Sequence, residues 1–384
     1  MSDSGNDVYG SPEHLAFREM VRKFVQTELV PRAREFDEMG RLDRSIFPKM
    51  GELGLLGIRY DDKWGGQGLD YSYQAIFLEE VALCDNAGVC MGISVQTDMA
   101  TPALARFGSD ELKKRYLVPA IKGDHVAAIA VTEPSAGSDV SGIRTRAVRD
   151  GDHWVINGSK MYITNAATAD WLCLLAVTDP EAGYGGYTQI IVPTDSRGFS
   201  YKLLDKIGNI GSDTGLLFFD DVRVPISNTI GDPNRGFQQQ MMQFQDERMV
   251  VVVTAPVTAR RLWEETLRHC QQRMLFGKPL AKMQVTQFKL AELMIQITAA
   301  EEFSRRCIRQ MKRGEDATLD ISMAKVFATT MSQLVATSCM QLFGGAGYCW
   351  ENPAARAFVD SRLASIGGGA DEVMKQVIAK MLQI

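Results

Sequence analysis

The hydrophobic rhythm of the chain changes twice, and this restricts its fold more than any other feature. From Ser11 to about Lys122 the period is helical. Ser11-Pro12 forms an N-cap and first-turn pair, after which Phe17, Met20, Val21, Phe24 and Val25 recur at three- and four-residue spacing. Pro31 interrupts that pattern, Trp64-Gly65-Gly66-Gln67-Gly68 breaks it, and further helices are predicted over Tyr71–Cys84 and Ser109–Tyr116. From about Gly123 to Asn228 the period falls to two. The runs Val126–Val131, Trp154–Asn157, Trp171–Val177, Tyr187–Val192 and Gly215–Val222 read as strands, with Asp150-Gly151 and Asn157-Gly158 as hairpin signals. Beyond Gly236 helical rhythm returns in long segments, 236–271, 283–313, 317–343 and 353–382. The prediction is an α+β, mostly α chain: an N-terminal helical domain (1–122), a middle antiparallel β domain (123–235) and a C-terminal four-helix bundle (236–384).

Composition removes several classes of function. The 42 basic and 47 acidic residues leave a net charge of -5, which gives no general attraction to nucleic acid, although a local basic pocket for a phosphate can exist within it. No run of 18 apolar residues occurs, so no membrane insertion is expected. The longest candidate, Met249–Val257, contains Pro256 and follows Glu247-Arg248. The stretch Met1–Gly10 carries Asp3 and Asp7 and lacks the features of a secretion or organelle signal. A cytoplasmic location is expected, or the mitochondrial matrix if a transit peptide has been removed. Seven cysteines form no CxxC pair, and His269-Cys270 is the sole His–Cys neighbour pair among four histidines. Reduced thiols and no metal site are expected.

Four separated segments carry chemistry. Val131-Thr132-Glu133-Pro134-Ser135-Ala136-Gly137-Ser138-Asp139 lies at the entry to the β region, and Lys160-Met161-Tyr162-Ile163-Thr164-Asn165 follows one hairpin later. Arg273-Met274-Leu275-Phe276-Gly277-Lys278-Pro279 joins two long helices, and Gln341-Leu342-Phe343-Gly344-Gly345-Ala346-Gly347-Tyr348 closes another. Alone, Thr132 and Ser138 would be capping residues of a loop, and Gly344-Gly345 a helix C-cap. In order and together, over essentially the whole chain, the four segments resemble the acyl-CoA dehydrogenase family.

That resemblance implies an FAD cofactor and a set of contacts. Ile129, Val131, Thr132 and Ser138 would run beside the flavin ring, with Ser138 alternatively on the CoA side. Tyr162, Ile163 and Thr164 would cover the other part of the ring, Tyr162 standing where many relatives have Trp. Arg273, Phe276, Gln284, Gln341, Gly344 and Gly345 would embrace the dinucleotide part across a subunit boundary, the arginine fork suiting a pyrophosphate. Ala370-Asp371-Glu372 departs from the usual Thr-Ser/Asn-Glu/Gln, so backbone contacts at Ala370 and Glu372 would replace a threonine hydroxyl.

Removing an α-proton while the β-hydrogen leaves as hydride to flavin N5 needs a carboxylate on the substrate face opposite the flavin. Many family members place this glutamate before the last helix, where this chain has Ser365-Ile366-Gly367-Gly368-Gly369-Ala370. Gly368 occupies the expected position. A smaller branch, resembling isovaleryl-CoA and long-chain acyl-CoA dehydrogenases, draws the base from the first bundle helix. The matching residue here is Glu247 in Phe244-Gln245-Asp246-Glu247-Arg248, 121 positions earlier. Glu247 is therefore assigned as base ahead of Asp246 and Glu372, and Gly368 as an N–H donor to the thioester carbonyl. Gln245, Arg248, Gly367 and Ser138 are assigned to substrate binding. The implied activity is FAD-dependent conversion of acyl-CoA to trans-2-enoyl-CoA. Electrons would pass to an electron-transferring flavoprotein, and the assembly would be a homotetramer built as a dimer of dimers. The competing readings are the same chemistry on an acyl, prolyl or aminoacyl group tethered to a carrier protein, an oxygen-using oxidase, and a non-catalytic binding protein of this fold.

Overall fold

In a computed structural model that describes residues 8–384, the helical, β, helical order is realised; Asp3 and Asp7 lie outside the described residues. Ser11 caps α1 (Pro12–Phe24) by accepting from the His14 N–H at 3.3 Å, and Pro12 lacks the N–H that a first turn leaves unpaired. There follow α2 (Ala33–Met39), α3 (Ile46–Glu52), α4 (Tyr71–Val81), α5 (Ala87–Ser94) and α6 (Thr101–Phe107). Asp70 and Asn86 cap α4 and α5 through the N–H groups of Ser72 (2.8 Å) and Val89 (3.1 Å). The helix predicted over Ser109–Tyr116 is broken into α7 (Asp110–Leu112), a π turn at Lys113–Leu117 and α8 (Val118–Lys122). Pro119 has no N–H to continue the ladder, so the helix widens before it.

The middle domain holds β1 (Ala127–Ala130), β2 (Arg146–Asp150), β3 (His153–Thr164), β4 (Trp171–Val177), β5 (Tyr187–Pro193), β6 (Phe199–Leu203) and β7 (Thr214–Pro225). Their order is β1-β4-β2-β3-β7-β6, with β5 also paired to β4. Pairing is mainly antiparallel, but β1 runs parallel to β4, because the whole β2–β3 hairpin intervenes in sequence and returns the chain in the same direction. The Asn157-Gly158 pair makes no hairpin. It is a bulge inside the long strand β3, where Gly158 has φ +146° and an added Cβ would lie 2.6 Å from the Thr145 hydroxyl. The glycine serves close approach, and the strand continues.

In the C-terminal domain, α9 (Gly236–Gln272) leads through a two-stranded ribbon, β8 (Met274–Leu275) and β9 (Lys278–Pro279), into α10 (Gln284–Lys312) and α11 (Thr318–Phe343). The segment expected over 353–382 is two helices, α12 (Pro353–Ala364) and α13 (Asp371–Leu382), separated where three consecutive glycines make helix costly. Two cores meet on α9. Met249, Val250, Val252 and Val253 pack with Phe77, Leu78 and Ile93 of the N-terminal domain, and Ala259 and Leu262 pack with Leu293, Ile297 and Val335 of the bundle. Each large apolar side chain so buried contributes roughly 1.5–3 kcal/mol. Gln240 adds a contact to the β domain, accepting from Gln189 at 3.0 Å. The first half of α9 is therefore held where all three domains meet.

Candidate active site

Glu247 lies on that half of α9. It is 8% exposed, and its Oε1 has no hydrogen-bond partner among the described residues. Burial pushes its carboxyl up to about 8; Arg248 opposes this and Asp246 adds to it. Cys173 of β4 senses this carboxyl: burial, and then Glu247, push its thiol up to about 12. Cys173 is the register partner of Ile129 in β1, the strand that leads into Val131 and Thr132. Glu247 and the Thr-Glu-Pro segment thus share one region.

The glycine loop between α12 and α13 approaches Arg248, the residue after Glu247. A Cβ built on Gly369 would stand 3.9 Å from Nε of Arg248. Fully buried Lys325 of α11 holds the loop, donating to the Gly369 carbonyl at 2.7 Å and to Asp371 at 3.1 Å. Gly368 has φ +63°, a backbone state that glycine adopts without steric cost, and a Cβ there would meet nothing within 4 Å. Arg248 is buried with Nε unpartnered, and desolvation lowers its pKa against the pull of Glu247. Gln245 turns to α11, its amide donating to Thr318 at 3.1 Å. Gly367 and Ala370 are half-buried, whereas Glu372 is exposed in the first turn of α13.

The Thr-Glu-Pro segment is fixed from beneath. Lys160, completely buried, donates to the Val131 carbonyl at 2.7 Å and to Glu133 at 2.9 Å, and Glu133 also accepts from the Arg144 and Thr145 N–H groups. The Met161 N–H donates to the Thr132 carbonyl at 2.8 Å. A bulge in β3 between Lys160 and Ile163, with Tyr162 at φ +63°, exposes the tyrosine ring while Ile163 is buried and Thr164 half-buried. Neither the Thr132 nor the Thr164 hydroxyl bonds to another described residue. Two free hydroxyls, an exposed aromatic face and a rigid backbone fit a planar ring with a polar edge, the requirement of a flavin. Ser138 is exposed.

Along α9 beyond Glu247 runs a cavity of about 210 Å³, with Cys90, Met91, Val250, Val251, Thr254 and Ala259 among its walls. It reaches Glu265, so it follows the helix for about 22 Å from Val250.

Arg273, Phe276, Gln284, Gln341, Gly344 and Gly345 gather elsewhere. They cluster where α9 ends, α10 begins and α11 ends, and the His269 and Phe343 rings meet there at 4.6 Å. All six are exposed. Phe276 tips the β8–β9 turn with φ +49°, followed by Gly277 at +76°, and is 91% exposed. A bulky residue in that conformation is uncommon without a reason outside its own turn. Arg273 lies 26 positions along α9 from Glu247, about 39 Å at helical rise. Within one chain the two groups do not form one site.

Sequence reasoning missed the clamps. Asp246, a rival base in the sequence, is fully buried and committed to Arg59 (3.0 Å) and Arg106 (2.6 Å). Behind Arg59 stands buried Asp98, 4.0 Å away, which accepts from Gln74 and Thr97. The signal was available: Arg59 ends the apolar run Leu55–Ile58, and Asp98 sits inside Val95–Ala100.

Comparison with known proteins covers all three domains. The acyl-CoA dehydrogenase N-terminal, middle and C-terminal domain models match residues 11–124, 128–222 and 234–383. The chain is 40% identical to the long-chain specific acyl-CoA dehydrogenase of Sus scrofa mitochondria over 99% of this chain and 89% of that one. It is 35% identical to the short-chain specific enzyme of Clostridium acetobutylicum, covering 96% and 97%. A probable acyl-CoA dehydrogenase of Mycobacterium abscessus superposes with TM-score 0.94 at 38% identity, covering 97% of this chain and all of that one. Among the described residues no helix is long and apolar enough to cross a membrane. The chain belongs to the acyl-CoA dehydrogenase family of FAD-dependent oxidoreductases.

Proposed function

We propose that the chain oxidises the α,β bond of long acyl-CoA thioesters, with Glu247 removing the α-proton. The observation that carries this reading is the Glu247 carboxyl, enclosed where the three domains meet, with a free oxygen, beside Cys173 of the strand that pairs with β1, while the next residue, Arg248, meets the glycine loop. The Gly368 N–H donates to the thioester carbonyl, where negative charge grows as the proton leaves. Lys325 keeps that donor in place, and Arg248 favours the ionised base. Val131, Thr132, Tyr162, Ile163 and Thr164 would hold FAD, which would supply the acceptor for the β-hydrogen. The neighbouring subunit of a homotetramer supplies Arg273, Phe276, Gln284, Gln341 and the Gly344-Gly345 turn. An electron-transferring flavoprotein receives the electrons. The cavity along α9 takes the far part of the acyl chain, which favours long substrates, in line with the long-chain relative.

The test is anaerobic bleaching of the yellow holoprotein by a panel of CoA esters. Long linear esters bleach it fastest. Glu247→Gln stays yellow and does not bleach; bleaching at the parent rate by this variant, or none of the parent by any CoA ester, refutes the proposal.

A further inference from the structure

Two arginines from different elements converge on one carboxylate that directly precedes the base. Arg59 comes from the loop after α3 and Arg106 from the last turn of α6, and both reach Asp246, whose side chain is wholly inaccessible. Successive residues of a helix project about 100° apart. Fixing Asp246 against the N-terminal domain therefore fixes the rotation of this turn of α9 and the direction in which Glu247 leaves it. Arg59 is itself held, 5.0 Å over the Tyr71 ring and 4.0 Å from Asp98. We infer that Asp246 is a positioning residue for the α-proton abstraction, and that the Arg59–Asp246–Arg106 clamp sets both the orientation of Glu247 and the charge against which it ionises.

The charges around the base come from every side. Asp246 and Arg248 flank it on α9, and Cys173 faces it from β4. Lys325 of α11 faces Arg248. Behind Asp246 stand Arg59, Arg106, Asp98, Tyr60 and Tyr71. Asp246 alone would oppose ionisation of its neighbour by like charge, and its two guanidinium partners offset that. The clamp is thus a built-in bias, and its two signs can be removed separately.

The inference rests on Glu247 being the base, and two variants of the holoprotein test it. Asp246→Asn keeps the shape and removes a negative charge, so the pH at which anaerobic flavin reduction reaches half its plateau moves down. Arg106→Gln removes a positive charge from a side chain that is 40% exposed, so that pH moves up. The Asp246→Asn displacement is about one pH unit, or about tenfold in rate at fixed pH on the rising limb, and the Arg106→Gln displacement, which reaches Glu247 through Asp246, is smaller and of opposite sign. The carboxylic C=O infrared band that disappears in Glu247→Gln titrates with the same opposite shifts, independently of turnover. A purely structural role lowers the plateau in both variants and leaves the midpoint unmoved, which overturns the inference. Should Asp246→Asn not fold, Arg106→Gln decides by itself. If Glu247→Gln still reduces flavin, the proposed function fails; if it is inactive while both midpoints stay at the parent value, only the clamp fails.

Discussion

Replacing Lys160 by Met tests whether the Thr-Glu-Pro segment is held from below by a buried ion pair. The ammonium is fully inaccessible and the Glu133 carboxyl nearly so, 2.9 Å apart, and the same nitrogen anchors the Val131 carbonyl. Burial alone would raise the Glu133 pKa, yet Lys160 and the Arg144 and Thr145 donors hold it below the ordinary glutamate value. Removing one member of such a pair costs about 3–5 kcal/mol, because the other charge stays buried without its partner. Glu133 keeps two backbone N–H donors, which places the loss near 3 kcal/mol. For a chain of 384 residues the entropy of unfolding is about 0.8 kcal/mol per kelvin, so melting drops by about 4 °C. Calorimetry of the apoprotein measures this directly. Lys160→Met/Glu133→Gln, which leaves no charge, recovers a large part of the loss. Flavin release, followed by 450 nm absorbance after desalting, is faster in Lys160→Met because the Val131 carbonyl loses its anchor. A drop below about 1 °C, or single-variant losses that simply add in the double variant, refutes the clamp.

Other consequences follow from the same structure. A carboxyl raised to about 8 in the folded state contributes stability that is present below its unfolded value of about 4.5 and is lost as pH rises through 8. Denaturation at pH 5 and pH 8 therefore shows a smaller decline for Glu247→Gln than for the parent. Thr254→Phe fills the cavity about 10 Å along α9 from Glu247, so kcat/KM falls at least tenfold for long acyl-CoA esters and little for four-carbon ones. Lys325→Met frees the Gly369 carbonyl and slows flavin reduction by about ten- to hundredfold, below the cost of deleting a carbonyl donor outright, with FAD still bound. Arg273→Ala weakens FAD retention and makes it fall with protein dilution, as measured by absorbance across a gel-filtration concentration series.

What the sequence made legible was whatever depends on near neighbours. Trp171–Val177 reads as a buried strand and is β4, because a short, fully apolar run has little alternative. The first three helices after Gly236 begin and end near their predicted bounds, since periodicity and flanking turns are local signals. Asn157-Gly158 misled because the same dipeptide serves a tight turn or a bulge, and only the approach of Thr145 distinguishes them. The catalytic candidates came from resemblance, and the residues that support them were not legible. Asp246 is paired with residues 187 and 140 positions away, and a buried lysine such as Lys160 carries the same letter as one in water.

The length of α9 connects the chemistry to the assembly. A helix of 37 residues spans about 55 Å, and its two ends lie in different surroundings. Near the start, Glu247 is enclosed by its own chain's three domains and needs no neighbour to be buried. At the end, Arg273 and Phe276 stand in solvent on a turn whose backbone has few reasons to be there by itself. One dinucleotide cannot touch Glu247's surroundings and Arg273 of the same chain across about 39 Å. If both sets of residues act on FAD, the arginine must act on a neighbour's cofactor. The assignment of Arg273 to the cofactor thus entails an oligomer, and a monomer that binds FAD as tightly as the assembled protein is incompatible with it.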